Sequence, residues 1–133
     1  MAETEDDGER PAVSKFCIRC HECNQSAIVI ELHKQASERF SIVTKGFIGR
    51  VTTFAMGQGP VTEQLFDKIK VLAETNLVAL HSDDPDMFGF VCRQCGYAYC
   101  INCWKSIHNT FDGEFFDATR GQCPHGHEQM LQD

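Results

Sequence analysis

Eight side chains, arranged as four close pairs, have the types and spacing of metal ligands. The pairs are Cys20 with Cys23, Cys92 with Cys95, Cys100 with Cys103, and Cys123 with His127. A C-x2-C turn points both sulfurs to one side, at roughly the separation that a tetrahedral zinc ion requires. Four pairs are enough for two four-coordinate sites, so we predict two Zn²⁺ ions as cofactors.

The residue that follows each C-x2-C pair helps to decide which cysteines are ligands. The backbone at that position often takes a positive φ, which suits glycine or asparagine. Gly96 follows Cys95 and Asn24 follows Cys23, whereas the rival pair Cys17-x2-Cys20 is followed by His21. We therefore prefer Cys20 and Cys23, and Cys17 stays open as an alternate ligand.

The order of the pairs along the chain suggests how they combine. We predict that site A consists of Cys20, Cys23, Cys92 and Cys95, as two facing knuckles of a zinc ribbon. Site B then consists of Cys100, Cys103, Cys123 and one histidine. His127 is the preferred fourth ligand because it follows Cys123 in a turn relaxed by Gly126, with His108 and then His125 as alternates.

Composition limits the class of protein. The first ten residues are acidic and lack an apolar segment, so we expect no signal peptide and a reducing, cytoplasmic location. Eight cysteines in such a compartment indicate metal ligands rather than disulfides. The sequence has no run of about 18 apolar residues, so we expect no membrane span.

The charge balance bears on the partner. The formal net charge is −7, and no segment is strongly basic. Binding to nucleic acid through neutralised phosphates is therefore disfavoured. A protein partner, of unknown identity and compatible with a basic surface, fits this balance better.

Hydrophobic patterning predicts mixed secondary structure. The helices are expected at about 61–74, where Leu65, Ile69 and Leu72 share one face, and from Cys100 to about His108, with Trp104 and Ile107 facing inward. Strands are expected at 15–19, 26–32, 40–44, 47–54, 77–80, 87–91 and 115–116. Residues 1–14 are expected to form a disordered acidic tail. The remainder, 15–133, is predicted to be a single zinc-binding domain with an insert at 24–91 between the knuckles.

The predicted fold class is therefore α+β. We expect a small antiparallel sheet with one main helix, stapled by two zinc sites in a zinc-ribbon or treble-clef-like arrangement. Capping by Asn76 and a break at Gly46 between two strands are expected locally.

The run Cys92-x2-Cys95-x4-Cys100-x2-Cys103-x4-His108 resembles part of the in-between-RING (IBR) zinc domain of RBR ubiquitin ligases. The resemblance covers residues 92–108 only. It implies a double-zinc, treble-clef-like module, and it would place His108 with Cys123 in site B. It also implies a ubiquitin-system component as one possible function.

A catalytic zinc needs an open coordination position and usually a mixture of histidine, carboxylate and water. The thiolate-rich donor set and the lack of an H-E-x-x-H pattern favour structural sites. We therefore predict a non-enzymatic zinc protein that acts through protein contacts. The alternatives are a ubiquitin-system component and a small acidic, immunity-type inhibitor of a basic enzyme. Most aromatic residues near the zinc sites are expected in the core, and one or two left exposed would mark the contact surface. The candidates are Tyr97, Tyr99, Trp104, Phe111, Phe115 and Phe116.

Overall fold

The computed structural model describes residues 11–57 and 59–132, without the side chain of residue 50, and has an α+β architecture. A four-stranded antiparallel meander forms the N-terminal part. Its strands are β1 (Ser14–Arg19), β2 (Ser26–Lys34), β3 (Phe40–Phe47) and β4 (Gly49–Thr53). Of the predicted acidic tail, residues 1–10 lie outside the described residues, and Ser14 already belongs to β1.

The central strand β2 explains why this sheet forms. Its apolar run pairs on both sides, so that Ile30 lies between Phe16 of β1 and Thr44 of β3. Ile28, Ile30 and Leu32 share one face and are buried. The break predicted at Gly46 is wrong by two residues, because β3 continues through an irregularity there and the chain reverses at Ile48.

A short hairpin and two helices connect this sheet to the C-terminal part. They are β5 (Ala55–Met56), β6 (Gly59–Pro60), α1 (Glu63–Thr75) and α2 (Leu77–Asp83). The hydroxyl of Thr62 caps α1 by accepting the Leu65 N–H at 3.0 Å. Phe66 and Ile69 of α1 are buried, and the Phe66 ring packs edge-on against Phe16. The main helix predicted over 61–74 is confirmed, with its start two residues later.

The predicted strand at 77–80 is wrong, because this segment begins α2. Asn76 ends α1 through its N–H to the Leu72 carbonyl, and its side chain then accepts the Ala79 N–H at 3.2 Å. One residue thus caps two consecutive helices, which commits Leu77 to the first turn of the second. The strand predicted at 87–91 is also largely wrong: residues 85–90 form turns, and the strand starts at Val91.

The C-terminal part consists of a small hairpin and a three-stranded antiparallel sheet of order β11-β10-β9. Its strands are β7 (Val91–Cys92), β8 (Tyr97–Ala98), β9 (Lys105–Asp112), β10 (Phe115–Gln122) and β11 (Glu128–Gln132). The predicted strand at 115–116 is confirmed as the start of β10.

The helix predicted from Cys100 to His108 is wrong. The chain makes one turn at 101–103 and then enters β9, which pairs with β10. Trp104 is buried as expected, and its Nε1 donates to the Tyr99 carbonyl at 3.1 Å. Ile107, expected to face inward, is exposed. Pairing with β10 therefore overrides the helical spacing of Trp104 and Ile107.

The hydrophobic core draws on both sheets and the helices. Its largest members include Phe66, Phe88, Phe90, Tyr99 and Leu131. Neither of the described helices has the length and apolar character needed to cross a membrane.

Candidate metal centres

Two groups of four ligand atoms lie in and beside the turns between strands. The first cluster consists of Cys20, Cys23, Cys100 and Cys103. The second cluster consists of Cys92, Cys95, Cys123 and His127. Within each cluster all ligand atoms lie within 4.8 Å of one another.

The first cluster joins the N-terminal sheet to the C-terminal part of the chain. Cys20 and Cys23 lie in the turn between β1 and β2, and Cys100 and Cys103 lie in the turn between β8 and β9. The Sγ atoms of Cys23 and Cys100 are 3.5 Å apart. Cys20 and Cys100 are buried, whereas Cys23 is exposed, so the cluster lies just below the surface.

The second cluster joins the β7–β8 turn to the β10–β11 turn. His127 contributes its Nδ1 atom, which lies 3.6 Å from the Sγ of Cys92, 3.3 Å from that of Cys95 and 3.4 Å from that of Cys123. The Sγ atoms of Cys95 and Cys123 are 3.7 Å apart. Cys92 and Cys123 are buried.

These distances fit tetrahedral coordination. Zinc–sulfur bonds of about 2.3 Å and zinc–nitrogen bonds of about 2.0 Å place neighbouring sulfurs about 3.8 Å apart, and a sulfur and a nitrogen about 3.5 Å apart. A disulfide would require about 2.05 Å between sulfurs. All eight cysteines are free thiols in the structure, so the clusters fit metal sites rather than disulfides.

The backbone of each turn is shaped for its ligands. Asn24 and Gly96 have φ values of 64° and 80°, as predicted for the residue after a knuckle. The N–H of Cys95 points at the Sγ of Cys92 at 3.4 Å, and the His127 N–H points at the Sγ of Cys123 at 3.4 Å. Gly126, with a φ of 90°, allows the tight return from Cys123 to His127.

The electrostatics differ between thiols. Burial raises the pKa of Cys20, but the backbone N–H groups of Cys100, Cys23 and Glu22 outweigh it and lower the pKa to about 7. Burial raises the pKa of Cys92 to about 11 and also raises that of Cys103. Close thiolates repel one another, so a divalent cation is what would allow all of them to ionise together.

A buried glutamine supports the second cluster, and the sequence offered no signal for it. Gln129 of β11 donates through Nε2 to the Val91 carbonyl at 2.6 Å and to the Gly89 carbonyl at 3.3 Å. Its Oε1 accepts the N–H of Arg93, at 3.2 Å, inside the Cys92–Cys95 turn. The side chain thereby ties β11 to the knuckle of β7.

The structure gathers the eight preferred ligand residues but combines them differently from the prediction. Cys20 and Cys23 meet Cys100 and Cys103, not Cys92 and Cys95. Cys92 and Cys95 meet Cys123 and His127 instead. The first pair thus joins the third, and the second joins the fourth. The β7–β8 hairpin places its own turn, which holds Cys92 and Cys95, and the following turn at opposite ends. The His21 N–H donates to the Ala98 carbonyl at 2.8 Å, which holds the β1–β2 turn beside the end of β8 that leads to Cys100.

The three alternate ligands lie outside both clusters. Cys17 is exposed on β1, opposite Val29. His108 is exposed on β9, where its Nδ1 lies 2.8 Å from the Ser106 carbonyl oxygen. His125 is exposed, and only its backbone N–H approaches a ligand, the Sγ of Cys123, at 3.3 Å. The placement of His108 in site B, which the IBR resemblance implied, is therefore wrong.

The chain belongs to the family described as Domain of unknown function (DUF8328), whose model matches residues 10–133. No curated protein and no solved structure matches it. The two clusters both lie within the matched range.

Proposed function

We propose that this DUF8328 protein is non-enzymatic, holds two structural zinc ions and acts by binding another protein. The closed donor sets support the structural role: each cluster already offers four ligand atoms, which fills a tetrahedral shell without water or substrate. The second cluster's three sulfurs and one imidazole nitrogen favour zinc over an iron–sulfur centre. A cluster of four thiolates around Zn²⁺ also carries a net charge of about −2, which adds to the acidic character.

Metal analysis of the purified protein tests the first half of the proposal. We expect about two zinc ions per chain by elemental mass spectrometry, since each cluster binds one. The protein is purified without added metal, which avoids false loading, and without a chelator, which would remove bound metal. Iron in place of zinc, or no bound metal, would contradict it.

The tip of the β9–β10 hairpin is the feature that supports binding to another protein. The Phe115 side chain is 78% exposed and that of Phe111 is 61% exposed, with Phe116 also exposed. Phe111 and Phe116 are directly opposite across the hairpin, and their rings meet edge-on with centroids 6.3 Å apart. Clustered aromatic side chains on a surface mark interaction sites more often than isolated ones do. We call Phe111, Phe115 and Phe116 the hairpin patch.

The charges around the hairpin patch indicate the partner's chemistry. Asp112, Glu114 and Asp117 lie on the same hairpin, and the chain as a whole carries −7. Asp117 accepts a hydrogen bond from Thr110 at 3.3 Å, which keeps its carboxylate on this hairpin. An aromatic patch surrounded by carboxylates is complementary to an apolar surface bordered by lysine or arginine. The partner is therefore a basic protein.

Replacing Phe115 by serine should abolish capture of the partner from a lysate of the source cells. Truncation of an aromatic anchor commonly costs about 2 kcal/mol or more of binding, roughly thirtyfold in affinity. Val71→Ser is the matched control, because Val71 is also an exposed apolar residue, on α1. Both variants should melt within a few degrees of the wild type, since neither side chain is in the core.

Three findings are required together. One dominant protein must be captured by the wild type and by Val71→Ser, it must be missing with Phe115→Ser, and it must be basic. Equal capture by all three chains would contradict the role of the hairpin patch. An acidic partner would contradict the charge argument.

The two alternative functions fit the same surface in different ways. An inhibitor of a basic enzyme is the special case in which the captured partner loses activity when bound. A ubiquitin-system component remains a separate proposal, which binding to a ubiquitin-conjugating enzyme would support. The exposed position of His108 on β9 removes one residue correspondence on which that proposal rested.

A further inference from the structure

A cavity of about 330 Å³ lies between α2, the β7–β8 turn and the strands β10 and β11. Its polar lining includes His81, Arg93, Arg120 and Glu128, and Pro85 and Met130 supply apolar surface. The volume is at the lower end of the range for small-molecule sites. Neither the proposed metal sites nor the proposed protein contact uses these side chains.

His81 is a buried polar group that lacks a partner within the described part of the chain. The residue is 8% exposed, and its Nε2 atom makes no hydrogen bond. That atom has almost no accessible surface, so an anion in the cavity would lie beside the imidazole ring rather than bond to Nε2. Burial, followed by the charge of Arg93, lowers the pKa of His81, so the ring is neutral at pH 7.

Two guanidinium groups border the same cavity. Arg93 makes no ion pair with a carboxylate of the described residues, while Arg120 contacts Glu128 through Nε at 3.3 Å. With His81 neutral, the net charge of the lining side chains is +1, from two arginines and one carboxylate. The chain as a whole has a net charge of −7. This local reversal of sign attracts an anion to the cavity.

We propose that this cavity binds the phosphate group of a small phosphomonoester. Two guanidinium groups supply several donors for an anion with three free oxygens, whereas a single carboxylate would need only one arginine fork. Pro85 and Met130 offer apolar contact to the organic part of the ester. The Nε of Arg120 donates to Glu128, which holds the arginine in place. This bond does not involve the two terminal nitrogens of the guanidinium group.

Calorimetric titration of the metal-loaded full chain at constant ionic strength tests the proposal. The probes are glycerol 3-phosphate, inorganic phosphate and uncharged glycerol. Both phosphates should bind and glycerol should not. Tighter binding of the ester supports the proposal, and tighter binding of inorganic phosphate would contradict the contact between the organic part and Pro85 or Met130. Arg93→Gln and Arg120→Gln should each weaken binding at least about tenfold, the usual effect of losing a charge-assisted hydrogen bond.

Lys70→Gln is the matched control, because it removes the same charge from an exposed site on α1. Its affinity for phosphate should equal that of the wild type. The imidazole nitrogen resonances of His81 should shift on titration with phosphate in the wild type, which reports the site even if a variant loses stability. No binding, binding weakened equally by Lys70→Gln, or binding without a shift at His81 would overturn the proposal. The hairpin variant Phe115→Ser should bind phosphate normally, so failure of this inference is distinguishable from failure of the protein-contact proposal.

Discussion

Replacing Cys100 by serine should remove one metal ion and unfold the chain, whereas replacing Cys17 by serine should change neither metal content nor stability. Cys100 is a buried member of the first cluster, and Cys17 is an exposed thiol on β1 outside both clusters. The free energy of structural zinc binding is about 10–16 kcal/mol in small domains. That is comparable with the total stability of about 5–15 kcal/mol expected for a domain. Circular dichroism with elemental analysis of both variants measures the difference.

A folded Cys100→Ser variant that still bound two metal ions would contradict the assignment of this ligand. The comparison is matched because both changes replace one sulfur by one oxygen. A loss of stability in Cys17→Ser would equally contradict it, since the exposed Cys17 contacts no ligand atom within the described clusters.

The same prediction separates the observed pairing from the sequential one. Cadmium can replace zinc and gives one NMR signal per site, with four-sulfur and three-sulfur environments distinguishable. In the wild type, one cadmium should couple to protons of Cys20 and Cys100, and the other to protons of Cys92 and Cys123. Coupling of one ion to both Cys20 and Cys92 would support the sequential pairing instead. Because this measurement uses the wild type, unfolding of the variants does not affect it.

The ligand residues were predictable from sequence because their signal is local. The spacing within each pair and the positive φ after Cys23 and Cys95 belong to single turns, and the structure has both. The combination of pairs is a property of the tertiary fold: four pairs can be joined in three ways, just as four cysteines can. Nothing within the turns distinguishes these ways. The β7–β8 hairpin separates Cys95 from Cys100, and the hydrogen bond from the His21 N–H to the Ala98 carbonyl places the β1–β2 turn beside Cys100.

The secondary structure was predictable to the extent that segments were long and periodic. Helix α1 has several apolar residues at helical spacing and a capping threonine, so its position was found to within two residues. The four apolar residues from Leu77 to Leu80 are compatible with a strand or a helix by length, and the double cap at Asn76 decides for the helix. Strand β9 carries a helical spacing at Trp104 and Ile107, but its hydrogen bonds to β10 prevail.

Gly89→Ala should destabilise the protein by about 3 kcal/mol or more, the second large effect that the structure predicts. A Cβ atom at this position would lie 1.9 Å from the backbone oxygen of Leu131 and 2.7 Å from its carbonyl carbon. Backbone atoms cannot move away as a side chain can, so β11 would have to separate from the turn that precedes β7. That separation would also stretch the bonds from Gln129 to the carbonyls of Gly89 and Val91.

Gly57→Ala is the matched control for this change. Its Cβ would meet only the Asp83 backbone oxygen, at an ordinary 3.8 Å. Both variants make the same change in the unfolded chain, where alanine has fewer conformations than glycine, so their difference in unfolding free energy isolates the contact with Leu131. Denaturant titration of the two metal-loaded variants measures it, and equal midpoints would show that β11 does not rest on Gly89. Since the turn that holds Cys123 and His127 leads directly into β11, we also expect Gly89→Ala to release metal from the second cluster before the first. We therefore expect the second metal centre to depend on the close packing of Gly89 against Leu131 as well as on its four ligands.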